Sequence, residues 1–286
     1  MERLRDLWRH RALVGVLVAR EMKARYRGSV LGFFWSLLNP LLMLAVYTLV
    51  FQLLLPNRSP STTPYALFLF CGLLPWNWLS ASITDAAASL LTHGALLRKI
   101  LFPAEVLPAV AVLAQGVHFL LALPVLLAAL AAGALGAFGT PVPLGGALLQ
   151  VPVLMLLQAA LLFGTGLFLS ALTVHFRDVK DLLQTVLSVL FFATPILYTR
   201  KARPKGGVTG LLAWNPLSPL FAGWQDALFY GRFSPLSTWG GSGFGSAAHV
   251  LFEHGVGVLA AFSGFYEGKA HTTGADLVPV DPFLVV

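Results

Sequence analysis

The sequence has few charged residues. Asp, Glu, Lys and Arg make up 11% of its 286 residues, whereas hydrophobic residues make up 57%. A soluble domain carries about 25% charged residues. A chain this poor in charge, with uncharged runs far longer than ~18 residues, is typical of a membrane protein with several spans. The composition therefore predicts an all-α polytopic membrane protein, and no separate soluble domain is visible.

Cysteine and metal-binding patterns are also scarce. Cys71 is the only cysteine, so the chain cannot form an intramolecular disulfide, and no Cys or His spacing typical of a metal site is present. The segment His249-Val-Leu-Phe-Glu-His254 is one residue too long for the His-x-x-Glu-His pattern of zinc proteases. We therefore expect no metal site.

A phosphate-binding loop for ATP is missing. The segment Gly264-Phe-Tyr-Glu-Gly-Lys-Ala270 contains Gly and Lys at the wrong spacing, and no Ser or Thr follows the Lys. The chain should therefore bind no ATP or other cofactor by itself, and no catalytic residue is assigned. The carboxylates Asp85, Glu105, Asp178 and Asp181 are expected at the ends of spans, which argues against a proton relay inside the membrane.

The charges that are present cluster at the N-terminus. Eight of the 19 Lys and Arg residues precede residue 28. Residues 1–28 predict an amphipathic helix in the membrane interface, with its basic side toward lipid headgroups or a partner. The alternative is a basic flank that only orients the first span. The apolar side carries Leu4, Leu7, Trp8, Val14, Val18, Met22 and Tyr26. The basic side carries Arg5, Arg9, Arg20, Lys23 and Arg27, while Arg11 and Arg25 break the pattern.

Apolar runs separated by charges and turn residues predict six transmembrane helices. The first span contains Pro40, where a kink is expected. The uncharged stretch from Val106 to Phe176 is divided by glycines and prolines, so it forms two spans. The sixth span would bury Glu253 in a Gly-rich region. The predicted spans are about 30–55, 65–83, 106–132, 147–172, 182–198 and 247–266.

The segments outside the spans have distinct predicted roles. Residues 86–103 hold too short an uncharged run to cross a membrane and predict a helix on its surface. Arg177 and Asp178 form a charged joint on the N-terminal side. Residues 206–225, within an outer segment at 200–240, predict a broken or re-entrant segment at the outer face, and residues 267–286 predict an irregular tail. Because Lys and Arg are in excess on the N-terminal side, that side is expected to be cytoplasmic.

Aromatic residues are frequent, with 7 Trp and 21 Phe. Most of them should face lipid, but an aromatic face is also suited to stack on the C–H face of a sugar ring. The candidates for a substrate path are Trp35, Tyr47, Phe51, Trp76, Phe191, Phe192 and Tyr198.

Five blocks, in order along the chain, resemble the permease of type-2 ABC exporters, in the branch that moves lipid-linked O-antigen, capsule or teichoic acid. The first block is Arg20-Glu-x-Lys-x-Arg-Tyr-x-x-Ser29-x-Leu-Gly32-x-x-Trp35-x-x-x-x-Pro40. The others are Gly72-Leu-Leu-Pro-Trp76, Leu97-Arg-Lys-Ile-Leu-Phe-Pro103-Ala-Glu-Val-Leu-Pro108, Phe176-Arg-Asp-Val179, and Pro195-Ile-Leu-Tyr198 with Asn215-Pro-Leu-Ser-Pro219. The resemblance covers about residues 1–230. Residues 240–286 depart from the family pattern, and a divergent span, a truncated gene or a shifted reading frame would each explain that.

The resemblance implies a six-span permease that forms a homodimer in the bacterial inner membrane. It also implies a separate nucleotide-binding ATPase that carries ATP and Mg. Membrane lipids and the lipid-linked glycan would be further partners, and no nucleic acid is expected. The surface that couples to the ATPase is implied at the N-terminal helix and at the 86–103 joint, and the outer segments at 200–240 are implied to act as gate segments. The coupling residues would be Arg20, Lys23, Arg25, Arg98, Lys99, Phe102 and Pro103.

Three other functions are alternatives. An exporter of the same class would serve equally for a drug or another lipid. A membrane-embedded enzyme acting on polyprenyl-linked sugars would need carboxylates near a membrane face, which only Asp178 and Asp181 approach. The third alternative is an ion channel or an assembly scaffold.

Overall fold

The computed structural model describes residues 11–54, 64–93, 104–176, 178–198, 215 and 217–234. Several predictions lie outside these residues. They concern the coupling residues Arg98, Lys99, Phe102 and Pro103, the joint residue Arg177, residues 1–10, most of the outer gate segments, the sixth span and the tail.

The described residues form seven α-helices. The helices are α1 (Arg11–Arg25), α2 (Trp35–Thr48), α3 (Tyr65–Thr92), α4 (Val106–Ala134), α5 (Val151–His175), α6 (Val179–Ala193) and α7 (Leu217–Leu228). Short 3-10 turns precede α2 at Gly32–Phe34 and α5 at Gly146–Gln150, and a π-helical segment, Leu49–Leu54, follows α2.

Three of the described helices are long and apolar enough to cross a membrane. They are α3 with 28 residues, α4 with 29, and α5 with its preceding turn, with 30. At ~1.5 Å per residue each exceeds the ~30 Å hydrocarbon core. The predicted spans 106–132 and 147–172 match α4 and α5, and the predicted first span corresponds to the helical run from Gly32 to Leu54.

Helix α3 is the centre of the bundle and is buried along most of its length. It packs against α4 and α5 on two sides. Small residues allow these close contacts, because a Cβ added at Gly166 of α5 would stand 3.0 Å from the Ala86 Cβ of α3. A Cβ added at Gly133 of α4 would stand 2.6 Å from Leu67. Close packing of small residues is how helices associate in membranes.

The predicted boundary of the second span is wrong. The sequence predicts an end of that span near residue 83 and a separate surface helix at 86–103, but α3 continues without a break to Thr92. The physical reason is twofold. Residues 86–92 are mostly Ala, Leu and Ser, which do not interrupt a helix, and the charge of Asp85 is compensated by Arg25. Residues 86–92 are therefore the last part of α3.

Helix α1 contacts the bundle mainly through α4, and only one side of α1 faces the bundle. Val14, Val18 and Met22 are half-buried, whereas Arg20 and Lys23 are exposed. The half-buried side is the one to which the sequence assigned the apolar residues. No residue of α1 is fully buried, so the helix rests on the bundle and does not join its core.

The opposite end of the bundle is closed by a turn between α4 and α5. Gly136 and Gly139 adopt positive φ angles there. The segment after α7 packs onto this turn, where a Cβ at Gly231 would stand 2.5 Å from the Pro143 carbonyl oxygen. The Gln150 side chain accepts from the Ser234 N–H at 3.0 Å and donates to the Ser234 carbonyl at 2.9 Å.

Helices α6 and α7 differ from ordinary spans. Helix α6 has 15 residues, about 22 Å at ~1.5 Å per residue, and ends before Pro195, so it is shorter than the predicted span 182–198. Helix α7 has 12 residues, most of them buried. It is too short to cross the membrane and is held within the bundle, and of the segment predicted at 206–225 only Asn215 and the residues from Leu217 on are described.

Candidate functional site

A groove runs between α3 and α6 and is open along one side of the bundle. It encloses a cavity of about 680 Å³. Residues at helical spacing line it from both sides, because positions three and four apart share one face of a helix. From α3 come Leu73, Trp76, Asn77, Ser80, Ala81, Thr84 and Asp85, and from α6 come Gln184, Leu187, Ser188, Phe191 and Phe192. Arg25 and Gln115 complete the lining.

Hydroxyl and amide groups make the groove polar within an apolar bundle. The Ser80 hydroxyl donates to the Asn77 carbonyl at 3.3 Å, and the Thr84 hydroxyl donates to the Ser80 carbonyl at 2.8 Å. The Ser188 hydroxyl donates to the Gln184 carbonyl at 2.9 Å. These protons are used within the helices, so the hydroxyl oxygens offer acceptor positions to a ligand. The exposed Gln184 amide adds both a donor and an acceptor.

Aromatic rings form one part of the groove wall. The Trp76 ring lies 5.4 Å from Phe191 and 5.6 Å from Phe221 of α7, centroid to centroid. Phe192 is 66% exposed and contacts Phe191 at 5.3 Å. Trp76 is therefore a packed floor residue, while Phe192 offers a free ring face.

A charged cluster stands at the end of the groove nearest α1. An Arg25 guanidinium nitrogen lies 2.9 Å from the Asp85 carboxylate. The Gln115 amide of α4 donates to the same carboxylate oxygen. Asp85 lies about 30 Å along α3 from Tyr65, a length close to that of the ~30 Å hydrocarbon core. The described lining residues of the groove therefore carry no net charge.

A second contact fixes the residue after Arg25. The Tyr26 hydroxyl lies 3.0 Å from His118 Nδ1, and the two rings meet edge to face. Under α1 a smaller cavity of about 170 Å³ is lined by Arg20, Glu21, His93 and again Asp85. Asp85 therefore borders both cavities.

The structure brings together some of the predicted path residues. Trp76, Phe191 and Phe192 meet at the groove. Phe51 instead contacts Tyr65 at 4.7 Å, and Tyr47 packs against the core nearby. Trp35 is partly exposed at the start of α2. Tyr198 packs after α6, where its hydroxyl lies 3.5 Å from the Ala193 carbonyl.

Of the predicted coupling and joint residues, the structure describes Arg20, Lys23, Arg25 and Asp178, and these lie at the α1 end of the bundle. Arg20 and Lys23 are exposed on α1. Arg25 differs from them because it turns to Asp85, which explains why it broke the amphipathic pattern. Asp178 is exposed directly before α6.

The sequence analysis missed the polar lining of the groove. Asn77, Gln115 and Gln184 are the principal residues it did not single out. Their signal was present, because each is an isolated amide within a predicted span, where a polar side chain is costly unless it has a partner or a function.

A helical bundle with several membrane spans, a polar groove along its side and a basic helix at one end defines a multi-pass membrane transport protein. The family model described as ABC-2 type transporter matches residues 12–229. The chain belongs to this family.

Curated relatives carry names that are more specific. The chain is 37% identical over 228 residues to the O-antigen export system permease protein RfbA of Myxococcus xanthus, covering 79% of this chain and 84% of the relative. It is 31% identical over 219 residues to a protein of the same name from Klebsiella pneumoniae, covering 77% of this chain and 81% of the relative. A further Klebsiella pneumoniae protein of that name is 30% identical over 222 residues, covering 78% and 82%.

Proposed function

We propose that this chain is the permease subunit of an ATP-driven exporter that moves a lipid-linked polysaccharide of the O-antigen type across the bacterial inner membrane. The names of its relatives support this substrate class. The observation that carries the proposal is the polar groove between α3 and α6, whose described lining has no net charge and combines hydroxyls, amides and a free aromatic ring. That combination suits a chain of sugars.

The partners follow from the family. ATP hydrolysis would occur on a separate nucleotide-binding subunit, which carries ATP and Mg and contacts the permease on the side of α1, taken as cytoplasmic. A second copy of the chain would complete the path. The outer side of α6 supports that arrangement, because Phe192 of the groove lining and Val189 on the same helix are large, apolar and exposed.

The groove is tested with a purified complex of this chain and its ATPase subunit in lipid nanodiscs. ATPase activity is measured against increasing lipid-linked O-antigen glycan, with the same polyprenyl lipid lacking the glycan as the reference. We expect the glycan-bearing lipid to stimulate ATPase activity and the lipid without glycan to leave it unchanged. In Gln184→Leu the half-maximal concentration should rise roughly tenfold, because one lost hydrogen bond costs about 1–1.5 kcal/mol.

Thr185→Val is the matched control. Thr185 is next to Gln184 on α6, is exposed, and does not line the groove. Removing its hydroxyl should therefore leave the half-maximal glycan-lipid concentration unchanged. Equal stimulation of the ATPase by the lipid without glycan would contradict the assignment of a polysaccharide substrate. It would favour the alternative function, export of another lipid or a drug.

A further inference from the structure

The end of α1 is joined to two other helices at one atom. Arg25 and Gln115 both donate to Oδ2 of Asp85, from α1 and α4 respectively. Helices α1, α3 and α4 therefore meet at a single carboxylate oxygen. The next residue, Tyr26, adds its contact with His118 of α4. We call Arg25, Asp85 and Gln115 the Asp85 clasp.

The clasp stands between two cavities. Asp85 lines both the groove and the smaller cavity beneath α1, while Arg25 and Gln115 line the groove alone. The side chains of the clasp therefore form part of the wall that separates the two spaces. Movement of α1 away from α3 would stretch the Arg25–Asp85 pair, which joins the two helices.

The strength of the pair suits a contact that opens and closes. The side chains of Arg25 and Asp85 are 37% and 40% exposed. Ion pairs with this exposure contribute little to stability because water screens them. Removing one of the two side chains has a larger effect than this small stabilisation, because the remaining charge is left without its partner at the edge of an apolar bundle. Water solvates a charge there less well than in bulk.

We propose that the Asp85 clasp closes the α1 end of the groove against the cavity beneath α1, and that Asp85 is a positioning residue through which movement of α1 opens that end. This inference deepens the proposed function, since α1 lies on the side assigned to the ATPase. Arg25 thus serves a role separate from that of the exposed basic residues Arg20 and Lys23.

The test measures access to the groove by the rate of thiol labelling. A Ser80→Cys reporter is placed in the groove of the full chain in membrane vesicles, and a small water-soluble maleimide is added. Cys71 is fully buried, and the chain without the reporter gives the background. We expect labelling to be several-fold faster in Arg25→Gln and in Asp85→Asn. The Asn side chain keeps an acceptor for Gln115, so this variant isolates the loss of the ion pair.

Three controls decide the result. Lys23→Gln, on the same helix but outside both cavities, should leave the rate unchanged. The exchange of Arg25→Asp with Asp85→Arg should return labelling toward the slow rate. A Thr185→Cys reporter outside the groove should label equally in all variants. Unchanged labelling at the groove reporter, acceleration by Lys23→Gln, acceleration at both reporters, or failure of the exchange to restore the slow rate would each overturn the proposal.

The experiment contains no ATPase subunit and no glycan. The clasp and the substrate proposal therefore fail independently. A chain that exports another lipid would still show the labelling response, whereas a chain that exports O-antigen through a permanently open groove would not.

Discussion

At the scale of single residues, glycine determines how closely the segments opposite α1 approach each other. Gly231 has a φ of 59°, and a Cβ there would meet the Pro143 carbonyl oxygen at 2.5 Å. Gly145 approaches the same segment, because a Cβ added there would stand 3.2 Å from the Gly231 carbonyl oxygen. A side chain at 231 is therefore opposed both by backbone conformation and by a rigid neighbour.

Gly231→Ala should lower the melting temperature of the purified protein in detergent. A left-handed residue with a Cβ costs about 1–2 kcal/mol, and the clash with Pro143 should add about 1–3 kcal/mol. Gly136→Ala is the control, because Gly136 has a φ of 80° but its nearest neighbour is 3.9 Å from the added Cβ. Equal losses in the two variants would show that the close approach does not matter.

Gln158 shows how a buried amide is tolerated in a membrane helix. It is fully buried in α5, donates to the Pro75 carbonyl at 2.9 Å and accepts from the Trp224 indole at 2.8 Å. The buried amide and indole groups thereby have hydrogen-bond partners, as buried polar groups require. Three helices are tied together at this point, α3, α5 and α7.

At the scale of elements, α7 depends on the turn that follows α6. The Asn215 side chain accepts from the Leu217 N–H at 2.9 Å and so caps α7. Its amide donates to the Ala193 carbonyl at 3.1 Å and to the Thr194 hydroxyl oxygen at 3.0 Å. One side chain therefore serves the end of α6 and the start of α7.

Asn215→Ala should loosen α7 specifically. The lost cap costs about 0.5–2 kcal/mol, and amide hydrogen exchange over 217–228 should accelerate while exchange in α4 stays unchanged. Asn215→Ser is the intermediate variant, since its hydroxyl still caps the helix but cannot make both donations to the end of α6. If Ala and Ser behaved alike, the cap itself would contribute nothing.

The sequence predicted the spans better than the contacts between them. Long uncharged runs located α4 and α5 because length and apolarity are properties of one segment. The continuation of α3 past Asp85 was missed because the partner that neutralises this carboxylate, Arg25, is 60 residues away in the chain. The groove was found only in part, because helix rotation depends on packing, and aromatic residues such as Phe51 turned to other neighbours.

At the scale of the whole molecule, the family predicts that force enters from a separate subunit on the α1 side. Arg98 and Lys99 follow α3 in sequence, and Arg20 and Lys23 are exposed on α1. The exposed basic residues of α1 suit an acidic patch on a partner, and we expect Arg98 and Lys99 to contribute to the same contact.

Replacing Arg98 and Lys99 together with Glu should weaken co-purification of the ATPase subunit and reduce export, because two attractive charges become repulsive. Membrane insertion, measured by the amount of chain in the membrane fraction, should stay normal. Replacing both residues with Gln gives a milder control that removes charge without reversing it. Normal export by the Glu variant would show that this joint does not couple the subunits.

The pairing of Gln150 with Ser234 has a consequence for counting membrane crossings. It places residues 231–234 beside the turn between α4 and α5, at the end of the bundle opposite α1. The crossings up to this point therefore sum to an odd number, whatever path residues 199–214 take. An odd number of further crossings would return the chain to the side of α1, and an even number would leave its last residues on the opposite side.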